Sequence, residues 1–468
     1  MQRRTLTLVA LAIAIAVLSS SVAVDAAGAS GWKSRRIYQI MTDRFAQDTF
    51  NPGATCAMDD YCNGTFKGAQ SRLDYIIDMG FDAIWISPVP VNYHKGYHGY
   101  WATDFFKINP HFGTEQDLKN FVNAAHAKGV WIMIDIVVNH VGPVGNDFTN
   151  VHPFNSSEYY HQECQVTQYV CETRMVHDCR LADLPDLNQT VPFVKQQLQS
   201  YVQWLINDFG FDGIRADTVM YIKNSYWADL QSAVGTFIAG EVYSDFACNL
   251  NYTQNGIDAT LNYPLYYGLR AVYHNPSQSM RELGTRWRQM KEYPDPDAEV
   301  NFLDNQDNNR FLYDSSATHP LYRSALTHMY FTNGIPCVFY GTEQLYNGAI
   351  QGNFCRYPLW PSNYDNTTHM YQFLKKLNKA HKQFQVWKHT VLERWQDSTI
   401  YCYVRGPLLV CTTNQVTEQT RTIPNLPFSG KTMCNWLDSS APCVSGDSTM
   451  TITIPAGGEP LVLYEQSA

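Results

Sequence analysis

Residues 211–241 read FDGIRADTVMYIKNSYWADLQSAVGTFIAGE, and the architecture of the whole chain follows from them. Two short apolar runs each end in a carboxylate: Gly213, Ile214, Arg215 and Ala216 lead into Asp217, and Phe237 to Gly240 lead into Glu241. Between them Trp227, Leu230 and Val234 recur at the three- and four-residue spacing of an amphipathic helix. Strand, helix, strand is a parallel unit, and such units present functional side chains at the carboxyl ends of their strands. Asp217 and Glu241 are therefore expected side by side at the mouth of one sheet. One ionised and one protonated carboxylate facing a single site is the requirement for cleaving a glycosidic bond.

Working outward, the same alternation extends in both directions. Strands are expected at 37–41, 83–86, 130–137, 258–262, 300–303 and 337–340, with helices at 115–127, 192–209, 278–291, 320–331 and 370–383. A further helix carries Leu73, Ile76, Ile77 and Met79 on one face. Thr114 followed by Asp117 predicts a capping box at the start of the 115–127 helix. Residues 141–186 break the alternation; they are polar and hold three cysteines, as an insertion after the third strand would. Eight strand–helix repeats with one excursion predict a closed (β/α)8 TIM barrel, in the α/β class, with an open doubly wound sheet as the alternative. From about residue 390 the pattern becomes short alternating segments separated by turns, which predicts a C-terminal antiparallel β-sandwich. The expected division is a barrel over 27–140 and 187–388, an inserted subdomain over 141–186, and a β domain over 389–468.

Composition narrows the class. The chain has 468 residues, 45% hydrophobic and 16% charged, which supports large buried cores and argues against disorder. A net charge of −9 gives no reason to expect a nucleic-acid or anionic-membrane partner. Arg3 and Arg4 precede an apolar run over 6–18 and small residues over 23–27, the pattern of a secretory leader over residues 1–26. Twelve cysteines suit oxidised pairs outside the cell, with Cys56–Cys62, Cys402–Cys411 and Cys434–Cys443 suggested by proximity and the remaining connectivity open. Sequons at Asn63, Asn155, Asn188, Asn251 and Asn366 fit secretion. No CxxC pair supports zinc.

Five motifs stand in order at these strand ends or nearby loops: DIVVNH from Asp135, LPDLN from Leu184, GIRADTV from Gly213, GEV from Gly240 and FLDNQD from Phe302. Together they resemble the secreted alpha-amylases of the retaining alpha-glycosidase family, closest in pattern to the fungal type, across essentially all of the mature chain. The resemblance implies that Asp217 is the nucleophile, Glu241 the general acid/base and Asp307 a third carboxylate that binds ring hydroxyls. Arg215, counted among the substrate-binding residues as a sugar contact, would also keep the nucleophile ionised, and the carboxyl groups would stand roughly 5–5.5 Å apart. His98, Tyr100, Trp101, His140, Gln306 and Arg356 resemble residues of the sugar-binding wall. A calcium ion would be held by Asn139, Asp186 and the Tyr221 carbonyl, with His177 standing where an acidic ligand is usual.

The chain departs from the family pattern at Met220 and Tyr221, where Lys-His is usual, and at Gln306, where histidine is usual. Gln306 is expected to donate to the sugar through its amide, with altered reach. The implied activity is endo-hydrolysis of alpha-1,4-glucan by a secreted, calcium-dependent monomer. A 4-alpha-glucanotransferase is the alternative, because substituted acceptor-side residues could favour a sugar over water, and a non-catalytic glucan-binding relative is a third reading.

Overall fold

A computed structural model describes residues 28–313 and 318–466; the expected leader at 1–26 lies outside them. Eight parallel strands form the central sheet: β1 Ile37–Gln39, β2 Ala83–Ile86, β3 Trp131–Ile136, β4 Gly213–Ala216, β5 Phe237–Gly240, β6 Ala259–Thr260, β7 Val300–Asn301 and β8 Ile335–Phe339. Each pairs in parallel with the next in chain order, and β8 returns to β1 in the register Ile37 to Cys337. A parallel bridge from Leu261 to Val300 joins β6 to β7 and closes the ring. The chain is a (β/α)8 barrel, not an open sheet.

Side chains alternate across every strand, so period two separates an inner from an outer face. Tyr38, Ile84, Ile86, Ile132, Ile134 and Ile214 point outward into the layer beneath the helices. Ile37, Ala83, Met133 and Phe237 fill the barrel floor, where Trp32 plugs the base and stacks on Phe237 with ring centroids 5.5 Å apart. Gly213 is required there, because a Cβ would lie 2.5 Å from the Trp32 ring. One step higher on the same inward face stand Gln39, Trp85, Asp135 and Arg215. The lining thus changes from apolar to charged along the strands, and that gradient builds the site.

The helices 115–127 and 192–209 form with the expected bounds, the first with the Thr114–Asp117 capping box and the second ended by Gly210 in the left-handed region. Other elements differ from expectation. β6 and β7 are only two residues long, because Asn262 already caps the next helix by accepting from Leu265 N and the chain turns away after Asn301. The first helical region breaks at Arg72 into Phe66–Ser71 and Leu73–Asp78. The aromatic loop after β2 contains an antiparallel ribbon, Pro90–Asn92 with Ala102–Ile108.

The stretch 141–186 is mostly irregular, with one helix Arg174–Asp178, and is tied by Cys164–Cys179 internally and by Cys171–Cys248 to the barrel. The three proximity pairs form as expected. Cys337 and Cys355 remain buried thiols, so not all twelve cysteines are paired.

The C-terminal region is a six-stranded sheet, Val391–Gln396, Ile400–Arg405, Leu408–Thr413, Leu461–Glu465, Thr432–Asn435 and Val444–Ser445 in spatial order, with a ribbon of Gln419–Ile423 and Met450–Ile454. Alternation divides its side chains: Tyr401, Tyr403, Leu408 and Val410 join the barrel's outer core, while Ile400, Cys402, Val404 and Leu409 pack with Ile423, Ile452 and Ile454 of the ribbon. Arg405, fully buried, crosses to the barrel and donates to Asp297 Oδ1 at 2.7 Å and to Phe331 O at 3.3 Å.

Candidate active site

β4 ends at Ala216, so Asp217 follows on the inward face, and Asp217 N is fixed to Ile136 O of β3 at 2.9 Å. Thr218 takes a left-handed conformation (φ 51°), costly for a branched residue, and its N–H donates to Glu241 Oε2 at 3.1 Å. β5 ends at Gly240, where a Cβ would come within 2.3 Å of Ile257, and Glu241 N donates to Ala216 O at 2.8 Å. Neighbouring strand ends thus lock the two carboxylates in register.

Arg215 lies beneath them, fully buried. Its Nη1 is 2.7 Å from Asp217 Oδ1 and 2.9 Å from Asp135 Oδ1, and its Nη2 is 3.0 Å from Glu241 Oε1. One cation therefore faces three carboxylates, and they cannot all be charged at equal cost. Burial pushes Glu241 up to about 8, against the pull of Arg215 and with the added repulsion of Asp217 and Asp307. Asp217 is raised less, to about 6, by burial only partly offset by Arg215. Around neutral pH the ordering leaves Asp217 ionised and Glu241 protonated, the division of labour that a nucleophile and an acid require.

Asp307 arrives from the loop after β7. It accepts from Gln306 Nε2 at 2.8 Å and pairs with Arg356 Nη2 at 3.0 Å. With Asp217 and Glu241 it lines one open cavity of about 690 Å³, whose wall includes His98, Tyr100, Trp101, His140 and Arg356. The three carboxylates delivered by β4, β5 and the β7 loop do converge on one space. His140 is pushed down to about 4 by burial, so it is a neutral imidazole, and one ring nitrogen lies 3.1 Å from Tyr100 O.

Two expected sugar contacts are corrected. Arg215 has no exposed surface; it lies under the carboxylates and acts on substrate only through them. Gln306 is also fully buried: its Oε1 accepts from Gln39 at 2.5 Å, and its two amide hydrogens go to Tyr100 Oη at 3.0 Å and Asp307 at 2.8 Å. No donor remains for a sugar, so Gln306 positions Asp307 and Tyr100. Met220 is likewise buried, whereas Tyr221 lines the cavity.

Asp135 is the residue that motif reading missed. Fully buried, it holds Arg215 and accepts from Tyr100 Oη at 2.8 Å and Trp85 Nε1 at 3.1 Å. The signal was available: Asp135 lies two residues beyond inward-facing Met133, directly across from Arg215. Tyr169 and Tyr243 in the cavity wall carried no motif.

The residues assigned to calcium gather where the insertion meets the barrel. Asn139 Oδ1 is a buried acceptor without a donor, which suits a hard cation. Asp186 is raised to about 7, by burial first, with one oxygen 2.7 Å from His161 Nδ1. The His177 side chain presents a buried Nε2 that makes no hydrogen bond and lies 3.8 Å from Glu172 Oε1, a poor ligand for such an ion. Among the described residues no three His, Cys, Asp or Glu side chains converge as metal ligands. An ion there would rely on Asn139, Asp186 and carbonyl oxygens.

A closed barrel with a carboxylate trio at the carboxyl ends of its strands defines a glycoside hydrolase of the (β/α)8 class. Comparison with known proteins makes this specific. Residues 39–402 match the alpha amylase catalytic domain, and the chain belongs to the alpha-amylase family. It is 33% identical to Alpha-amylase 2 of Schwanniomyces occidentalis over 98% of this chain and 96% of that one. Alpha-amylase 1 of Lipomyces kononenkoae is 37% identical over 77% of this chain, which spans 60% of that relative's length. The solved structure of an alpha-amylase from Malbranchea cinnamomea superposes with a TM-score of 0.88 at 31% identity, covering 94% of this chain and 98% of that one.

Proposed function

We propose that this chain hydrolyses internal alpha-1,4-glucosidic bonds of starch-like glucans with retention of configuration. The observation that supports the reading most is the split protonation of Asp217 and Glu241 around the single Arg215 guanidinium. In the first step the Asp217 carboxylate attacks the anomeric carbon, the glycosidic C–O bond breaks, and the Glu241 proton passes to the departing oxygen. In the second, Glu241 as carboxylate takes a proton from water, whose oxygen displaces Asp217. Asp307, fixed by Gln306 and Arg356, would bind hydroxyls of the ring being cleaved.

Calcium, held by Asn139, Asp186 and the Tyr221 carbonyl, would neutralise buried carboxylate charge and join the insertion to the barrel. The expected leader, the five disulfides and the sequons support a secreted glycoprotein.

Proton NMR of soluble-starch digestion tests the reading: the first reducing ends should carry the alpha configuration. Beta-configured initial product ends the retaining mechanism. Transfer to a sugar acceptor is the second reading, favoured by Tyr169, Tyr221 and Tyr243 around the cavity. Products longer than maltoheptaose from that substrate would establish it.

A further inference from the structure

Tyr263 opens the helix Tyr263–His274 that follows β6. It is buried and does not line the catalytic cavity, yet its hydroxyl reaches the carboxylate cluster. Its Oη lies 3.4 Å from Glu241 Oε1 and 3.1 Å from Asn305 Nδ2, and both neighbours are themselves buried. Edge-on contacts with Phe302 and Tyr243, at ring-centroid separations of 4.9 and 4.6 Å, hold the phenol ring in place.

The surrounding network fixes the direction of each hydrogen bond. Asn305 Oδ1 already accepts from Asp307 N at 2.9 Å and from Asn308 Nδ2 at 2.7 Å, so Asn305 must turn its amide nitrogen to Tyr263. Asn305 therefore donates, and Tyr263 Oη accepts. The hydroxyl proton is shut off from solvent and, among the described residues, has Glu241 Oε1 as its acceptor.

The two oxygens of Glu241 are consequently unlike. Oε1 faces the Tyr263 hydroxyl and, at 3.0 Å, the Arg215 guanidinium, so a proton bound there would meet two donors. Oε2 accepts from Thr218 N at 3.1 Å and keeps a second lone pair. The proton of the neutral acid belongs on Oε2.

We propose that Tyr263 is a positioning residue for the acid/base: its hydroxyl, directed by Asn305, confines the transferable proton to Glu241 Oε2 and steadies the carboxylate that remains. This deepens the proposed function and rests on it for the reaction. As the glycosidic C–O bond breaks, the departing oxygen keeps the bonding pair and takes the Oε2 proton, and negative charge gathers on Glu241. The hydrogen bond from Tyr263 then becomes charge-assisted and strengthens, which favours the transition state over the bound substrate. Tyr263 keeps its own proton throughout.

Tyr263→Phe in the full chain tests this, because it removes the hydroxyl and keeps the ring. The other groups that face Glu241, which are Arg215, Asp217, Thr218, Tyr221, Tyr243 and Asp307, stay as they are. Loss of a donor to the carboxylate should raise the alkaline limb of the kcat/KM profile by about one pH unit. On soluble starch kcat/KM should fall about ten-fold, with KM altered less than about two-fold. With 4-nitrophenyl alpha-maltotrioside, whose leaving group departs without a proton, the loss in kcat/KM should be less than about two-fold. Asn305→Ser keeps an acceptor for Asp307 N but frees the hydroxyl, and should shift the limb the same way by a smaller amount. An alkaline limb that stays in place in both variants overturns the proposal. An equal loss on starch and on the nitrophenyl substrate also overturns it, since a merely distorted site would behave so. Either result leaves the hydrolytic reading standing, whereas parent protein that released neither reducing ends nor nitrophenol would end both.

Discussion

Two clusters of buried charge sit at the same end of the barrel, and they are completed differently. Under the mouth, Arg215 is delivered by β4 and touches Asp135, Asp217 and Glu241. Asp135 and Glu241 have further donors on their other oxygens: Trp85 and Tyr100 on Asp135, and Thr218 N on Glu241. At the junction with the insertion, Asp186 meets His161, whose other nitrogen is 3.6 Å from Asp178, and the Asn139 amide, while Asn139 Oδ1 accepts no hydrogen bond. The first cluster has a buried guanidinium at its centre; in the second, Asp186 faces a histidine, and the guanidinium of Arg174 pairs with Asp178 from the exposed surface. A site whose carboxylates must hold an unequal protonation pattern gains from an immovable guanidinium, whereas a structural junction can borrow its charge from solution.

The largest expected effect tests the first cluster. Asp217→Asn or Glu241→Gln should lower kcat on soluble starch by about 10⁴-fold or more. A variant that kept a tenth of the activity would remove the distinction between the clusters. The pH profile sharpens the same point. Below about 6 Asp217 takes up a proton and stops being a nucleophile, and above about 8 Glu241 loses the proton it must donate. The kcat/KM profile should therefore be a bell with limbs near those values, read as properties of the coupled cluster. A single limb would contradict the split.

Arg215→Leu should destabilise by about 3–5 kcal/mol, because it strands buried carboxylates without their cation; urea unfolding measures it. The second cluster should respond to solution instead. Calcium at a hundred times its Kd should add about 2.7 kcal/mol, a gain that a chelator removes and that Asp186→Asn abolishes beforehand. A melting temperature indifferent to chelator would show that His161 suffices. The smallest effect belongs to Tyr100→Phe, which removes one donor from Asp135 and one acceptor for Gln306. About 1–2 kcal/mol in kcat/KM on maltotriose is expected.

Much of this was legible from residue order alone, for a physical reason. Period-two alternation and strand ends are local, so Asp217 and Glu241 could be placed at a common mouth before any coordinates. Partnership across the ring is not local. Nothing in FLDNQD says that Gln306 directs its amide to Tyr100, 206 positions away, and so its donors were assigned to sugar. Arg215 was placed beside Asp217 correctly, but its depth depends on β3 and β5 covering it. Cys171 reaching Cys248 across 77 positions, and Cys337 and Cys355 staying reduced, are likewise outcomes of packing. Asp135 is within reach of the alternation rule, two residues beyond inward-facing Met133, but its partners Trp85, Tyr100 and Arg215 come from other strands and loops.

The shared face of the C-terminal sheet has a consequence for how the molecule comes apart. With Tyr401, Tyr403 and Val410 seated in the barrel's own outer core, and Arg405 reaching Asp297 beneath it, the sheet serves as one wall of the enzyme as well as an appended module. Truncation at residue 390 would leave a greasy scar on the barrel and an Asp297 stripped of its cation, with only Asn333 still donating to it, and aggregation is the natural fate of such a fragment. Heating should therefore melt barrel and sheet together in one calorimetric peak.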